Sequence, residues 1–379
     1  MLAVTGIGMV SPLGLDVVSS CAAARAGVRR IVETDDLRVP DQEGELAAPI
    51  AVHRAPRISA GLFGFARLLQ LGAAALDDLA QSDATLRGAR LGMILIANSG
   101  VYEEAWSRRL REKPDEAAEL DYESYSTEIR AKVARDLLPA LVRAAGLDIV
   151  PALQVTLTST AIGFVAALRQ AKIWLDRGAC ERCIVGGVDS LVVPASLMAL
   201  DGLGLLRTPD RSVGILPGEG ACFIVVERAH EASPRGPSVC AILDAPAEAR
   251  ESPNPLLEEN GGSGRGLRAA MAETFNHLPD RGAATGLLIV NLNGDSYRAA
   301  SWGLAVTATA LLPGLGTLPT WIPPLFFGET GTAAGPMSVA LFARGVARRY
   351  APANALICLM DDGGGRGTVY ARAPKETLS

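Results

Sequence analysis

Residues 157–189 read LTSTAIGFVAALRQAKIWLDRGACERCIVGGVD. This predicts a tight polar turn, then a helix, then a strand that ends in a glycine pair. A cysteine nucleophile is often set where such a turn enters its helix, because the helix N-terminus favours the thiolate. Here the turn holds Ser159, Thr160 and Ala161, and no cysteine. The stretch therefore poses two alternatives: an acyl-transfer enzyme with an unusual nucleophile, or the shell of one.

The pattern repeats outward from this stretch. MLAVTGIGMVSPLG at the start predicts a strand running into a Gly-Pro turn, and FARLLQLGAAALDDLA a helix. LGMILIANSG is an uninterrupted apolar run bounded by Gly, which predicts a buried strand. Residues 101–147 are charge-rich and predict surface helices, with segment 103–135 a solvated face or an interface. ALQVTLT and GILPGEGACFIVVERA predict further strands, and so does GLLIVNLNG beyond a Pro-containing break at 231–238. Residues 299–328, cut by Pro313, Pro319, Pro323 and Pro324, predict a buried helix and then a buried strand, in pieces too short for a bilayer. Alternating strands and helices indicate an α/β fold with largely buried sheets. Residues 161–187 and 333–364 share a layout: small residues at a turn, a helix ending in basic residues, a strand and a glycine hairpin. The spacing from Gly163 to Ile184 nearly equals that from Gly335 to Ile357. With the break near 235, this predicts two halves of one duplicated fold, 1–235 and 236–379.

The chain has 379 residues, 49% hydrophobic and 20% charged, with a net charge of −5. Acidic and basic residues are interspersed, so neither nucleic acid nor an anionic membrane is an expected partner. The start shows no charged n-region or cleavage site, and a cytoplasmic location is expected. The 6 cysteines lie far apart and form no disulfide framework. Cys180 and Cys183 make a lone C-x-x-C, but there is no second pair and the 3 histidines (His53, His230, His277) are scattered. They read as small core residues, and neither a metal nor a cofactor is expected.

Three motifs, VTGIGMVSPLG, RGACERCIVGGVDS and LPGEGACFIVVERA, together resemble the β-ketoacyl synthases, condensing enzymes of fatty-acid and polyketide synthesis. LLIVNLNGDS and GETGTAAGPMSVAL fall where that family carries its two histidine motifs. The resemblance implies the thiolase-like fold, two βαβαβ halves in stacked α/β layers, usually paired as a dimer. It also implies a cysteine at a helix N-terminus, two histidines that act on the malonyl group, and a lysine near the second.

Laid on this sequence, those positions hold other residues. The nucleophile position falls on Ala161 or Thr160, the first histidine on Asn293 and the second on Glu329. The lysine becomes Pro324, and Gly365 stands where a gating phenylalanine would be. No histidine follows His277 at all. A hydroxyl at Ser159 or Thr160 would need an adjacent base, for which Glu329 is the candidate, and a lone carboxylate serves serine badly unless burial raises its pKa. The simpler reading of Ser159-Thr160 is a helix N-cap. NGGSGRG (260–266) could cradle a phosphate but reads better as a glycine linker capping a helix, and Glu219 in GEG as part of a structural turn.

The resemblance thus points to a catalytically inactive β-ketoacyl synthase-like protein that serves as a non-catalytic partner or adaptor. Its partner would be an active ketosynthase or acyl carrier protein, as for chain-length factors, or a type VI secretion effector, with a homo- or heterodimer expected. GLDVVSSCAAARAGVRR and GLFGFARLLQLGAAALDDL resemble the secretion-associated group more. The alternative is an acyltransferase or condensing enzyme with a rebuilt site at Ser159, Asn293 and Glu329.

Overall fold

The computed structural model describes all residues except 41–46, 84–85, 87–88, 113–119, 233–237, 253–255, 257–261, 308–313 and 375–379. Before residue 233 the chain runs β1 (Leu2–Val10), α1 (Val17–Arg25), β2 (Val32–Pro40), β3 (Ala47–Val52), α2 (Pro56–Ser59), α3 (Gly64–Ser82) and β4 (Leu91–Asn98). It continues through α4 (Val101–Glu112), α5 (Leu120–Ala144), β5 (Ile149–Ser159), α6 (Gly163–Asp176), β6 (Arg182–Ser190), α7 (Pro194–Gly202), β7 (Glu219–Arg228) and α8 (Ala229–Ala232). After residue 237 come β8 (Ala241–Arg250), α9 (Arg265–Asn276), β9 (Leu287–Val290), α10 (Ser296–Thr307) and β10 (Thr320–Trp321). Last are α11 (Pro324–Phe327), α12 (Ala334–Ala347), β11 (Asn354–Met360) and β12 (Gly365–Arg372).

Ten strands join in the order β10-β9-β11-β12-β8-β1-β7-β6-β4-β5. The seam is a short antiparallel contact of β1 with β8, Leu2 facing Leu243 and Val4 facing Ala241. On either side of it the plan is the same. The first strand (β1 or β8) pairs antiparallel with the last (β7 or β12), which pairs antiparallel with the fourth (β6 or β11). The second (β4 or β9) then runs parallel to the fourth, and the third (β5 or β10) parallel to the second. The duplication legible in residues 161–187 and 333–364 is therefore a repeat of strand order.

Burial explains the layering. β1, β6 and β7 are buried almost throughout, and so is β11, as their apolar runs require. α6 packs on β4, β6 and β7, and also on β8 and β12 across the seam. α12 packs on β11, and also on β1, β6 and β7. The two helices thus form a central layer, where Phe164 and Met337 share one core with Ile224 and Ile357. α3 and α5 cover the outer face of the first strand set, and α9 and α10 that of the second. The helices of the central layer meet closely: a Cβ on Gly335 would stand 2.6 Å from the Phe164 ring.

One expectation changes. The buried helix and strand read in residues 299–328 are a half-exposed helix and a two-residue edge strand. α10 leaves Leu304 exposed, and β10 is exposed at Thr320. The outermost position of the sheet needs no apolar face on its free side, so a long buried strand is not required there. The break read at 231–238 lies largely outside the described residues. Among those described, no helix is long and apolar enough to cross a membrane.

Candidate functional site

The turn between β5 and α6 is held by the backbone. The Gly163 N–H donates to Thr160 O (3.0 Å), Phe164 N–H to Ala161 O (3.4 Å) and Val165 N–H to Ile162 O (3.0 Å). The residue before the helix is Ile162, and no side chain caps it. The N-cap expected of Ser159-Thr160 is therefore absent, because these three-residue turns already engage the first N–H groups. The Thr160 hydroxyl instead donates to Asp361 Oδ2 at 2.5 Å, across to the β11–β12 hairpin. Asp361 Oδ1 accepts the Gly365 N–H at 2.6 Å, and a Cβ on Gly365 would stand 2.5 Å from Asp361 Oδ2. Only glycine lets the hairpin and the turn approach this closely.

Beside Thr160 lies a buried ion cluster. α10 delivers Arg298, 2% exposed, whose Nε and Nη2 grip both oxygens of Asp362 at 2.7 and 2.8 Å. Its Nη1 donates to Glu329 Oε2 at 2.6 Å and to Asn291 O at 3.0 Å. The Tyr102 hydroxyl from α4 donates to Asp362 Oδ2 at 2.5 Å, and Asn293 Nδ2 to the same oxygen at 3.4 Å. Burial works against Arg298's charge, but Asp362 and Glu329 hold its pKa well above the ordinary value. Burial raises Glu329, which the Arg298 charge opposes, and burial and then Asp362 push the Tyr102 phenol well up. A bidentate guanidinium–carboxylate pair in low dielectric is a rigid filler, and dissolving it would leave unpaired charge.

The strand end of β6 closes the site. Asp189 accepts from Asn98 Nδ2 (3.0 Å), Ser190 N–H (2.9 Å) and Thr332 N–H (3.0 Å). Burial nevertheless pushes its carboxyl up to about 7, since three neutral donors and the nearby negative Glu103 do not restore the lost solvation. Glu219 stands behind it, buried, taking Arg67 Nη1 at 3.0 Å and the Ser190 hydroxyl at 2.8 Å. It is structural, as its turn suggests. Between Asn98, Tyr102, Thr160, Ala161, Asp189 and Arg298 a cavity of ≈ 20 Å³ remains. That is room for about one water molecule and not for an acyl chain. Among the described residues, no cysteine or histidine lines it.

The residues singled out from sequence divide as follows. Thr160, Ala161 and Glu329 line the cavity. Asn293 and Gly365 border it through Asp362 and Asp361. Ser159 and Pro324 do not line it: Ser159 ends β5 beneath Gly163, and Pro324 begins α11. The carboxylate bonded to Thr160 is Asp361 and not Glu329, whose near oxygen belongs to Arg298. Cys180 and Cys183 are buried at the opposite end of β6 from Asp189, against Gly92 and Trp174. His277 sits exposed at the end of α9. No group of His, Cys, Asp and Glu among the described residues could hold a metal. The glycine segment ahead of α9 offers its N–H groups to Glu251, which accepts from Ser263 (3.0 Å), Arg265 (3.2 Å) and Gly266 (3.1 Å). An anion site there is already filled by the protein's own carboxylate.

Sequence reasoning did not find Arg298, Asp361, Asp362, Tyr102 or Asp189. A usable indication existed in DDGGGRG, where two consecutive acids precede a hairpin between strands buried on both faces. Acids at such a place need donors.

No protein-family model matches the sequence, and no curated protein sequence matches it either. Solved structures do match. A chain of the ishigamide ketosynthase/chain length factor superposes with a TM-score of 0.67 at 19% identity, over 98% of this chain and 99% of that one. A chain of a type II polyketide synthase acyl carrier protein in complex with its ketosynthase gives 0.71 at 16% identity, over 98% and 99%. An oxazolomycin ketosynthase domain of Streptomyces albus gives 0.70 at 16% identity, over 98% of this chain and 75% of that one. The fold is the thiolase-like fold of ketosynthases.

Proposed function

We propose that this chain is a non-catalytic thiolase-fold protein that works as a partner or adaptor of other proteins. The observation that carries the reading is Arg298, locked between Asp362 and Glu329 in the space beside the α6 N-terminus. A condensing site needs a thiolate there, an open acyl channel and donors that polarise a malonyl group. This position has a threonine in place of a thiol and carboxylates, which would repel a developing enolate.

The partner is an active ketosynthase or acyl carrier protein, or an effector of type VI secretion, in the cytoplasm. The likeness in fold to a ketosynthase/chain length factor supports the first, and the sequence character of α1 and α3 the second. Dimerisation, with itself or with that partner, runs through β5. This strand ends the ten-stranded sheet, pairs with β4 alone and leaves Pro151 and Ala152 exposed. The two halves divide at residues 235 and 236, which the matching strand orders support.

Intact-mass spectrometry after incubation with acyl-coenzyme A and acyl carrier protein tests the inert site, with no adduct expected. Light scattering at micromolar concentration tests the dimer, and a clean monomer would shift the reading to a heteromeric partner. One observation favours a second reading: the short Thr160–Asp361 hydrogen bond places a hydroxyl and a base together at a helix N-terminus. In that reading the chain is an acyltransferase with Thr160 as nucleophile, and an adduct on Thr160 would establish it.

A further inference from the structure

A separate cavity, of ≈ 200 Å³, lies at the C-terminal end of α12, opposite the end that borders the ion cluster. α1 forms one wall with Arg25, and Trp321, Phe326, Leu341 and Tyr350 face it. α12 ends in a turn with Arg349 at φ 59°, which returns the Tyr350 N–H to Gly345 O at 3.0 Å. The Tyr350 ring is thereby laid 5.9 Å from that of Trp321. Both rest on Gly345, where a Cβ would stand 2.9 Å from the indole. Trp321 and Tyr350 are half-buried, so this aromatic floor is open to solvent.

The rim is positive. The exposed Arg25 guanidinium lies 4.8 Å over the Tyr350 ring. Burial, and then Cys21, raises the Tyr350 phenol, while Arg25, Arg344 and Arg348 oppose that rise, so three guanidinium groups act at one ring. Among the described residues, none of the three forms an ion pair. The acids behind the α1 wall are committed. Asp16 accepts from the Ser19 N–H and hydroxyl, and Asp78 from the Met9 and Val17 N–H groups. The C-termini of α1 and α12 suit cations, and Arg25 and Arg344 stand in their last turns. Each helix end carries roughly half a negative charge, so two of them leave a surplus of about two positive charges.

We propose that this cavity receives a segment of a partner protein in which one aromatic side chain is flanked by carboxylates. The aromatic side chain seats on Trp321, Phe326 and Tyr350, and the carboxylates meet Arg25 and Arg348 at the rim. The volume suits one large side chain and falls short of the roughly 300–1,000 Å³ of small-molecule sites. The surplus charge selects the sign of the flanking groups. This occupant deepens the adaptor reading and rests on it, since a protein segment is what arrives. Acyl labelling and peptide binding are read separately, so either can fail alone.

Calorimetry with the full chain at neutral pH and low salt tests it, using the blocked pentapeptide Asp-Glu-Phe-Glu-Asp as the probe. One saturable site is expected. Replacing the peptide's phenylalanine by alanine weakens binding roughly tenfold or more, and a Lys-Lys-Phe-Lys-Lys peptide does not bind. Adenosine monophosphate, an aromatic anion that is no peptide, binds less tightly than the pentapeptide. The double variant Arg25→Glu, Arg348→Glu alters two exposed side chains and loses roughly tenfold or more in affinity, with circular dichroism confirming its fold. Absence of saturable binding, equal binding of the alanine peptide, the lysine peptide or the nucleotide, or an unchanged affinity in the double variant overturns the proposal. A dimer in light scattering that the double variant dissolves would seat a second copy of this chain on the face, and overturns it as well.

Discussion

Two neighbouring cavities share Asn98 and Asp189 and have opposite contents. The one beside α6 is filled by a guanidinium with two carboxylates and keeps ≈ 20 Å³. The one between α3, α5 and α7 is walled by apolar side chains, keeps ≈ 260 Å³ and leaves a carboxylate oxygen unpartnered. The difference teaches that buried charge does two different things. Paired and fully hydrogen-bonded, it acts as a plug whose removal is costly; unpaired, it is a standing demand for a donor. A thiolase-like fold with no thiol beside this turn therefore need not collapse inside, provided some polar group fills the space.

The plug is the first thing to break. Arg298→Ala strands Asp362 and Glu329 together, and a stability loss of about 3–5 kcal/mol is expected. Urea unfolding followed by far-ultraviolet circular dichroism measures it. A loss below about 1 kcal/mol would mean that the cluster is not what holds α10, the β11–β12 hairpin and residue 329 together.

The shared residue gives the next largest effect, through pH. The Asp189 carboxyl is raised to about 7 in the folded chain, from an ordinary 3.8, chiefly by burial. The folded state thus binds more protons than the unfolded state between pH 4 and 7. Stability from this group falls as pH rises through that window, by an amount on the order of 4 kcal/mol. Buried Glu329 and Asp295, also raised by burial, act in the same direction. His53 acts in the opposite one. Burial, and then the Arg29 charge, lowers it from 6.5 to about 4, so its contribution is complete above pH 6.5 and is lost as pH falls to 4. The two slopes offset each other below pH 6.5. Asp189→Asn removes the Asp189 slope and leaves the others, so its stability should climb between pH 4 and 6.5 by roughly 3 kcal/mol relative to the parent curve. Urea midpoints at half-unit pH steps measure this, and parallel curves would show that Asp189 does not titrate in the folded state.

The open cavity predicts a smaller change with the reverse sign. Glu103→Gln removes a charge that lacks a partner, so it should leave stability unchanged or raise it by about 1 kcal/mol at pH 8. A thermal melt beside that of Arg298→Ala sharpens the contrast: one charge supports the fold and the other burdens it. A marked loss in Glu103→Gln would reveal a partner for Oε2.

These charges also mark the limit of what the sequence discloses. Apolar runs such as LGMILIAN and CIVGGV announce buried strands by composition alone, and the repeat of helix and strand announces the duplication. Glu103 stands in EEAWSRRL and Arg298 in GDSYRAAS, where charged residues read as solvated helix faces. Only the fold turns Glu103 inward against Ser196, and only the fold brings Arg298 to Asp362, 64 positions away. The Ser159–Ala161 turn misleads for a local reason. Its hydroxyls look like caps, yet backbone turns have taken that task and freed Thr160 for Asp361.

That freed hydroxyl carries a modest effect and the sharpest discrimination. In the inert-plug reading, Thr160 Oγ1 does no more than satisfy one oxygen of Asp361, whose other oxygen the Gly365 N–H already holds. Thr160→Ala then costs about 1–2 kcal/mol, the price of a charge-assisted hydrogen bond partly replaced by the water the cavity can admit. It changes nothing in a thioester assay that is already blank. In the rebuilt-enzyme reading the same oxygen is the nucleophile, and its removal erases all covalent labelling at the same small cost in stability. Intact-mass measurements on one pair of proteins, parent and Thr160→Ala, therefore separate the readings, with unfolding as the control for the lost hydrogen bond: the plug predicts two unlabelled spectra. An acyl mass on the parent that vanishes in the variant would make the filled cavity a working site.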